Sequence, residues 1–337
     1  MPSYEILLDL KGKSFSDGFR ALAGQVTRQE VYKVKADGTL ADHPYQVTQN
    51  TYHIRQLQPT TDKTDPCFSF YQSESLNHNY EQQPDYPRIT HQFTLSVNPF
   101  GNVTQECNIA YPPRSGMPGT VPAQQRHYVQ TLNHSFINIT ERDRYELGVP
   151  LENKEYELAK LHPGANGLFD FIALKTELDA ALAAPIEFHE VFLPAAANAQ
   201  ARLIKWDRSY YWNDNRTNIL PRGNVGQTTL LHHKENACFS KTLIGDVFGS
   251  WVDNNTVQAD GHYELKNNYW WQKDNIQHYN TAREFNLLNR EERPDGGLIH
   301  YTYDAPYFLT LTQVRDALGN RTQAVIDYHG DIVNSCV

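Results

Sequence analysis

Cysteine is scarce in this chain, with four residues in 337. Cys67, Cys107, Cys238 and Cys336 lie far apart, match no metal-ligand spacing and are too few for a disulfide scaffold, so they read as free, buried or partly buried thiols. Basic excess is absent too. Lys and Arg total 30 against 39 Asp and Glu, a net charge of -9 with a pI near 5.8. That excludes the overall electrostatic footprint of a nucleic-acid or anionic-membrane binder. No stretch approaches the roughly 20 apolar residues that a membrane helix needs. Met1 to Leu10 carries Glu5 and Asp9 within a short apolar run, which does not read as a secretory signal. Catalytic signatures are missing as well: there is no Gly-x-Ser-x-Gly elbow, phosphate loop or dinucleotide fingerprint. His232-His233 followed by Glu235 lacks the helical His-Glu-x-x-His spacing, and neighbours on a strand face opposite ways, so the two imidazoles are not expected to share a metal. His189-Glu190, within Phe188 to Phe192, reads as alternating strand on the same ground. A glycosidase-like carboxylate pair has no positive support. The expectation is a protein without cofactor, metal or catalytic function.

What is present points to sheet. Aromatic residues make up 12% of the chain, including twenty Tyr, a composition that suits half-buried pleated surfaces. One turn is written twice, as Asn98-Pro99-Phe100-Gly101-Asn102 and as Asp316-Ala317-Leu318-Gly319-Asn320. Ahead of the first copy, Ile89, Phe93, Leu95 and Val97 fall on one side of a period-2 pattern, and Val103, Cys107, Ile109 and Tyr111 resume it afterwards. Arg321-Thr322-Gln323 after the second copy echoes Val103-Thr104-Gln105. Gly at the fourth position suits a hairpin loop that needs positive φ.

Ala36-Asp37-Gly38, between Gln29–Val34 and Tyr45–Ile54, is a further hairpin signal, and the same tripeptide recurs at Ala259-Asp260-Gly261 before Tyr263. Residues 112–122, with four prolines, read as an exposed loop. One amphipathic helix is expected from about Phe169 to Ala184, because Phe171, Leu174, Leu178 and Leu182 recur at three- and four-residue steps and Pro185 stops it. Its expected role is to cover one face of a sheet. Tyr210-Tyr211-Trp212 and Trp270-Trp271 read either as core packing or as a stacking platform for sugars. The chain is thus expected to be all-β, with a first strand array over 1–165, a helix within 167–185 and a second array over 186–337.

Longer stretches resemble a known family. FRALAGQVTRQEVY (Phe19 to Tyr32), HPYQVTQNTYHIRQLQP (His43 to Pro59) and YPRITHQFTLSVNPFGNVTQECNIAYPPR (Tyr86 to Arg114) resemble the middle and C-terminal region of the B component of bacterial insecticidal toxin complexes. Further similar stretches are YELGVPLENKEYEL (Tyr145 to Leu158), ARLIKWDRSYY (Ala201 to Tyr211), LPRGNVGQTTLLHH (Leu220 to His233) and LIGDVFG (Leu243 to Gly249). YDAPYFLTLTQVRDALGNRTQA (Tyr303 to Ala324) resembles the rearrangement-hotspot (RHS, or YD) repeat, in which a Tyr-Asp and a Gly-Asn turn mark successive hairpins.

The resemblance implies a structural role. In that family the B and C components build a hollow shell of long antiparallel strands around the toxic C-terminal segment of the C component. A propeller in the B component docks the shell onto a pore-forming A component, through which the toxin passes unfolded. The implied partners are therefore the remainder of the B component, the C component and, indirectly, the A-component pore, in a secreted assembly without a signal peptide. Pro112-Pro113-Arg114, where the family favours paired arginines, and Thr27, where it favours an apolar residue, depart from the pattern. The propeller has no counterpart here, and the chain is expected to be a fragment or a separate gene product. The residues that resemblance and turn chemistry single out are Asn98, Gly101, Asn102, Tyr303, Asp304, Asp316, Gly319 and Asn320. The competing readings are a carbohydrate-binding or carbohydrate-active β module using Tyr210, Tyr211, Trp212, Trp270 and Trp271, and a remnant of a toxin gene.

Overall fold

The computed structural model describes residues 13–327 and 332–336, apart from 60, 62, 82, 194 and 195. The Met1 to Leu10 segment and the Cys336 side chain lie outside the described residues. The chain is mainly β, and its sheets are antiparallel and open. It divides into two units: the described residues up to Asn133 with Glu155–Ile186 and Glu190–Ile204, and His134–Lys154 with Glu187–His189 and the described residues from Lys205 on.

The first unit begins with helix α1 (Lys13–Ala21), followed by β1 (Arg28–Val31), β2 (Gln46–Gln58), β3 (Cys67–Asn79), β4 (Arg88–Val97) and β5 (Val103–Ala110). Each strand pairs antiparallel with the next. The start of β6 (Tyr128–Glu141) pairs with β5, and β7 (Arg144–Ala159) and β8 (Gln200–Tyr211) extend the order. Alternation decides which face is buried. His91, Phe93 and Leu95 on β4 and Gln105, Cys107 and Ile109 on β5 all turn inward, with Phe93 opposite Cys107. Helix α2 (Phe171–Leu182) covers this face. It starts where the Asp170 carboxylate accepts the backbone N–H groups of Ile172 and Ala173, a cap that satisfies two otherwise orphaned donors. Leu174 and Leu178 are fully buried, Phe171 lies 6.3 Å from the Phe93 ring, and Lys175 reaches Gln105 at 3.1 Å. The 112–122 segment is irregular and runs into a short 3-10 turn at Pro122–Gln124.

In the second unit the rest of β8 pairs with β9 (Leu231–Ser240). Helices α3 (Lys241–Phe248) and α4 (Asn254–Ala259) follow, then β10 (Glu264–Lys266) and β11 (Tyr269–Lys273), with β11 inserted beside β9. A second sheet of six strands is a plain meander: β12 (Ile276–Tyr279), β13 (Leu288–Glu292), β14 (Leu298–Tyr303), β15 (Leu311–Arg315), β16 (Arg321–Asp327) and β17 (Ile332–Cys336).

The expected helix is α2, and α1, α3 and α4 are additions that the periodicity of the sequence did not reveal. Two local readings need correction. Ala259-Asp260-Gly261 is the end of α4 rather than a hairpin, because Asp253 caps a turn whose Val257 packs with Ile244 and Trp270. A Cβ on Gly261 would stand 2.6 Å from the Val257 carbonyl, so close backbone approach explains that glycine. Phe188 to Phe192 is not a strand; His189 instead lies in a loop, where its Nδ1 meets the Ser240 hydroxyl at 3.0 Å.

Candidate functional site

The two repeated turns have the same hydrogen-bond circuit. Asn98 N–H donates to the Asn102 carbonyl at 2.9 Å and Gly101 N–H to the Asn98 carbonyl at 3.1 Å; Asp316, Asn320 and Gly319 do the same at 3.0 and 3.1 Å. The side chain of the first residue then accepts two backbone N–H groups. Asn98 Oδ1 takes those of Phe100 and Asn102, and Asp316 Oδ1 takes those of Leu318 and Asn320. Asn102 and Asn320 close the ring side chain to side chain with the first residue. Gly101 and Gly319 sit at φ +91° and +89°, the left-handed position that closes a three-residue hairpin loop. Arg55 on β2 braces the first turn by donating to the Pro99 carbonyl at 2.5 Å.

Two further segments share the backbone pattern, Lys35–Thr39 and Arg293–Gly297. In these the acceptor is the third residue: Asp37 takes Thr39 N–H and Asp295 takes Gly297 N–H, both at 2.9 Å. Arg293-Pro294-Asp295-Gly296 carries the Pro and Gly that mark such a turn, and the sequence reading passed over it. Asn267-Asn268 was missed as well; both residues have positive φ, and they join β10 to β11 in a two-residue turn.

Tyr303 and Asp304 organise the end of β14. The Tyr303 hydroxyl donates to the Leu288 carbonyl at 3.0 Å. Asp304 is buried and its Oδ1 accepts Leu309 and Thr310 N–H at 2.8 and 2.6 Å, so one carboxylate folds the loop into β15.

The structure places Tyr211, Trp212, Trp270 and Trp271 in the interior, the last two at 1% exposure, with Tyr210 half-buried. They do not form the exposed stacking platform that a sugar site requires. Trp271 packs 4.8 Å from Trp206, and the Arg208 guanidinium lies over both rings, at 4.0 and 4.3 Å. Glu152 gathers Trp206 Nε1, Arg208 Nε and Arg222 Nη2 at 2.7, 3.3 and 2.7 Å. Glu235 is 2% exposed, 2.6 Å from Lys266 Nζ and 3.4 Å from His233 Nε2. Burial raises the Glu235 pKa, but the hydrogen bonds from His233 and Lys266 outweigh it and hold the carboxyl at about 2. His232 and His233 do face each other, Nδ1 to Nδ1 at 2.7 Å. Strand alternation forbade this, but a bulge opposite Tyr210 and Tyr211 inserts His232 as an extra residue and turns it to the His233 side. Burial and the neighbouring His233 hold the His232 pKa down at about 4. No cluster of three or more His, Cys, Asp or Glu among the described residues is arranged to hold a metal. Cys107 is buried, Cys238 half-buried and Cys67 exposed, and all three are free thiols.

Comparison with known proteins gives the context of these turns. Residues 18–149 match the family described as the insecticide toxin TcdB middle/C-terminal region. The crystal structure of TcdB2-TccC3 superposes with a TM-score of 0.72 at 21% identity, over 98% of this chain and 16% of that one. The same complex without its hypervariable C-terminal region gives 0.71 at 20% identity over the same shares. The Photorhabdus luminescens Tc holotoxin pore gives 0.70 at 21%, again over 98% and 16%. No curated protein sequence matches. The chain therefore spans about one-sixth of the length of these solved chains. The described chain thus has the fold seen in the TcdB2-TccC3 structures, and its residues 18–149 are similar to the insecticide toxin TcdB middle/C-terminal region.

Proposed function

We propose that this chain is a structural segment of a toxin-complex B component, one RHS-like region that helps to wall a hollow shell around the toxic cargo of a C component. The observation that supports this most is continuity. An array of antiparallel strands, four of whose connections share one backbone turn pattern, aligns over 98% of the chain with TcdB2-TccC3. Antiparallel strands pair every backbone group along a curved wall, and alternation gives the wall two chemically distinct faces. Open edge strands call for further strands beside them. In this reading the shell partners are the rest of the B component and the C component, the A-component pore is met only indirectly, and the assembly acts outside the producing cell. The chain performs no catalysis; its repeated turns and Tyr303-Asp304 serve architecture.

The test is light scattering after size exclusion, on the chain alone and after co-expression with the remaining B-component and C-component chains of a toxin complex. A soluble complex of defined mass with those chains is expected. A compact monomer that ignores them would overturn the reading.

A further inference from the structure

The register of β12 to β16 sets His278 opposite Arg290, Arg290 opposite His300, His300 opposite Arg315 and Arg315 opposite Arg321. Directly opposed residues of an antiparallel ladder share a face. Five basic side chains therefore stand in one row across five strands, about 19 Å from end to end at the usual strand spacing. Arg315 and Arg321 are permanent like charges set directly opposite each other, an arrangement that works against folding. One carboxylate lies beside the row, Glu292 Oε2 at 3.4 Å from His278 Nε2. Among the described residues no carboxylate pairs with Arg290, His300, Arg315 or Arg321. Arg290 Nε is moreover buried without a hydrogen-bond partner. At the β12 end the row opens into a cavity of about 440 Å³, whose walls add Trp212, Arg216, Tyr279 and Asn289 and include no acid. Hydrogen bonds to the Asn280 carbonyl and Asn286 fix the Arg216 guanidinium there. The next row on the same face is neutral and polar, with Thr302 opposite Gln313 and Gln313 opposite Gln323.

We propose that this basic row is a docking strip for an acidic, extended stretch of polypeptide, whose carboxylates pair with Arg290, Arg315 and Arg321. Charge complementarity requires an anionic occupant, and the pattern of the strip selects a polypeptide. Its permanent cations are interrupted by His300, and neutral Thr302, Gln313 and Gln323 run alongside; spaced carboxylates among neutral side chains match that arrangement. A nucleic acid, with a phosphate at every step, would set uncompensated charges against Glu292 and against the neutral row of Thr302, Gln313 and Gln323. The proposal does not depend on shell enclosure, since the row and its cavity belong to one sheet of this chain.

The test is fluorescence anisotropy of the whole chain at low salt with two labelled probes of equal charge, a Glu-Ser repeat peptide and oligo-dT. The peptide is expected to bind more tightly than the oligonucleotide, with an affinity that falls as salt rises. Arg315→Gln with Arg321→Gln should weaken peptide binding about tenfold. The thermal midpoint of that variant should hold or rise, because a like-charge pair is relieved. Lys33→Gln with Lys63→Gln removes the same charge elsewhere and should leave binding unchanged. Absence of peptide binding, equal weakening by the Lys33 and Lys63 pair, or oligonucleotide binding as tight as the peptide would each overturn the proposal.

Discussion

The two units build their interiors from different materials. In the first, the inward face is mainly Ile54, Leu76, Phe93, Leu95, Ile109 and Val129 under Leu174 and Leu178 of α2, with His91, held between Tyr111 and Glu74, and the uncharged Gln105 and Thr131 among them. In the second, a small apolar cluster of Trp270, Ile244 and Val257 is joined by buried charge: Arg208 lies over the Trp271 and Trp206 rings, and Glu235 is held by His233 and Lys266. The apolar interior tolerates imprecision, because dispersion and burial are non-directional. The charged interior is stable only while every partner is in place, since a buried charge that loses its counterpart keeps its desolvation penalty.

Truncation should expose that difference. Trp271→Ala is expected to cost about 4 kcal/mol, because it removes a large ring and strips Arg208 of one of its two aromatic faces. Leu178→Ala should cost about 3 kcal/mol through its cavity alone. Urea unfolding of both variants checks the order; a smaller loss for Trp271→Ala would mean that the second unit relaxes around the gap and is no more demanding than the first.

Glu235→Gln sharpens the comparison. It should cost about 2 kcal/mol at pH 7 by leaving Lys266 and His233 without a charged acceptor. The pH dependence follows from linkage. A carboxyl held below its ordinary value contributes stability above about pH 4.5, and that contribution is lost as pH falls towards about 2. His232, kept neutral to about pH 4 by burial beside His233, His278 and Lys273, contributes above about 6.5 and loses its share as pH falls towards 4. His78 and His127 in the first unit, also held down by burial, add to the loss as pH falls below about 6.5. Thermal midpoints of wild type and Glu235→Gln should therefore run parallel down to about pH 4.5 and converge below it. A constant gap to pH 3 would rule out Glu235 as the source of the acid limb.

The smallest effect belongs to the turns. Gly101→Val and Gly319→Val should each cost about 1 kcal/mol or more, because a β-branched residue is strained at φ near +90°. Nothing lies within 4 Å of a Cβ built on either glycine, so the loss measures backbone strain without a clash. Unchanged thermal midpoints in both variants would remove the basis for treating the two turns as one design.

How much of this was legible in the sequence follows the same division. Phe93, Leu95, Cys107 and Ile109 announce their face by period 2, and Leu174 and Leu178 announce theirs by period 3.6, because an apolar interior writes itself as hydrophobic spacing. Arg208, His233 and Glu235 look like solvent-facing residues in a string of letters; only non-local pairing buries them. The bulge that brings His232 to His233 depends on which strand lies opposite, and no local pattern encodes that. Helix α4, six residues long, is too short for periodicity to register.

The four turns also set a phase. In each, the bracketing partners are six positions apart: Val34 with Leu40, Val97 with Val103, Glu292 with Leu298, and Arg315 with Arg321. An even interval keeps odd-numbered residues opposite odd-numbered ones. Thus Phe93 meets Cys107 and His91 meets Ile109, and the inward beat of β4 passes into β5 as though no turn intervened. A strand and turn of this kind can be duplicated, and the sheet lengthened, without any inward residue being carried to the outside. A loop one residue longer or shorter would invert every side chain downstream of it.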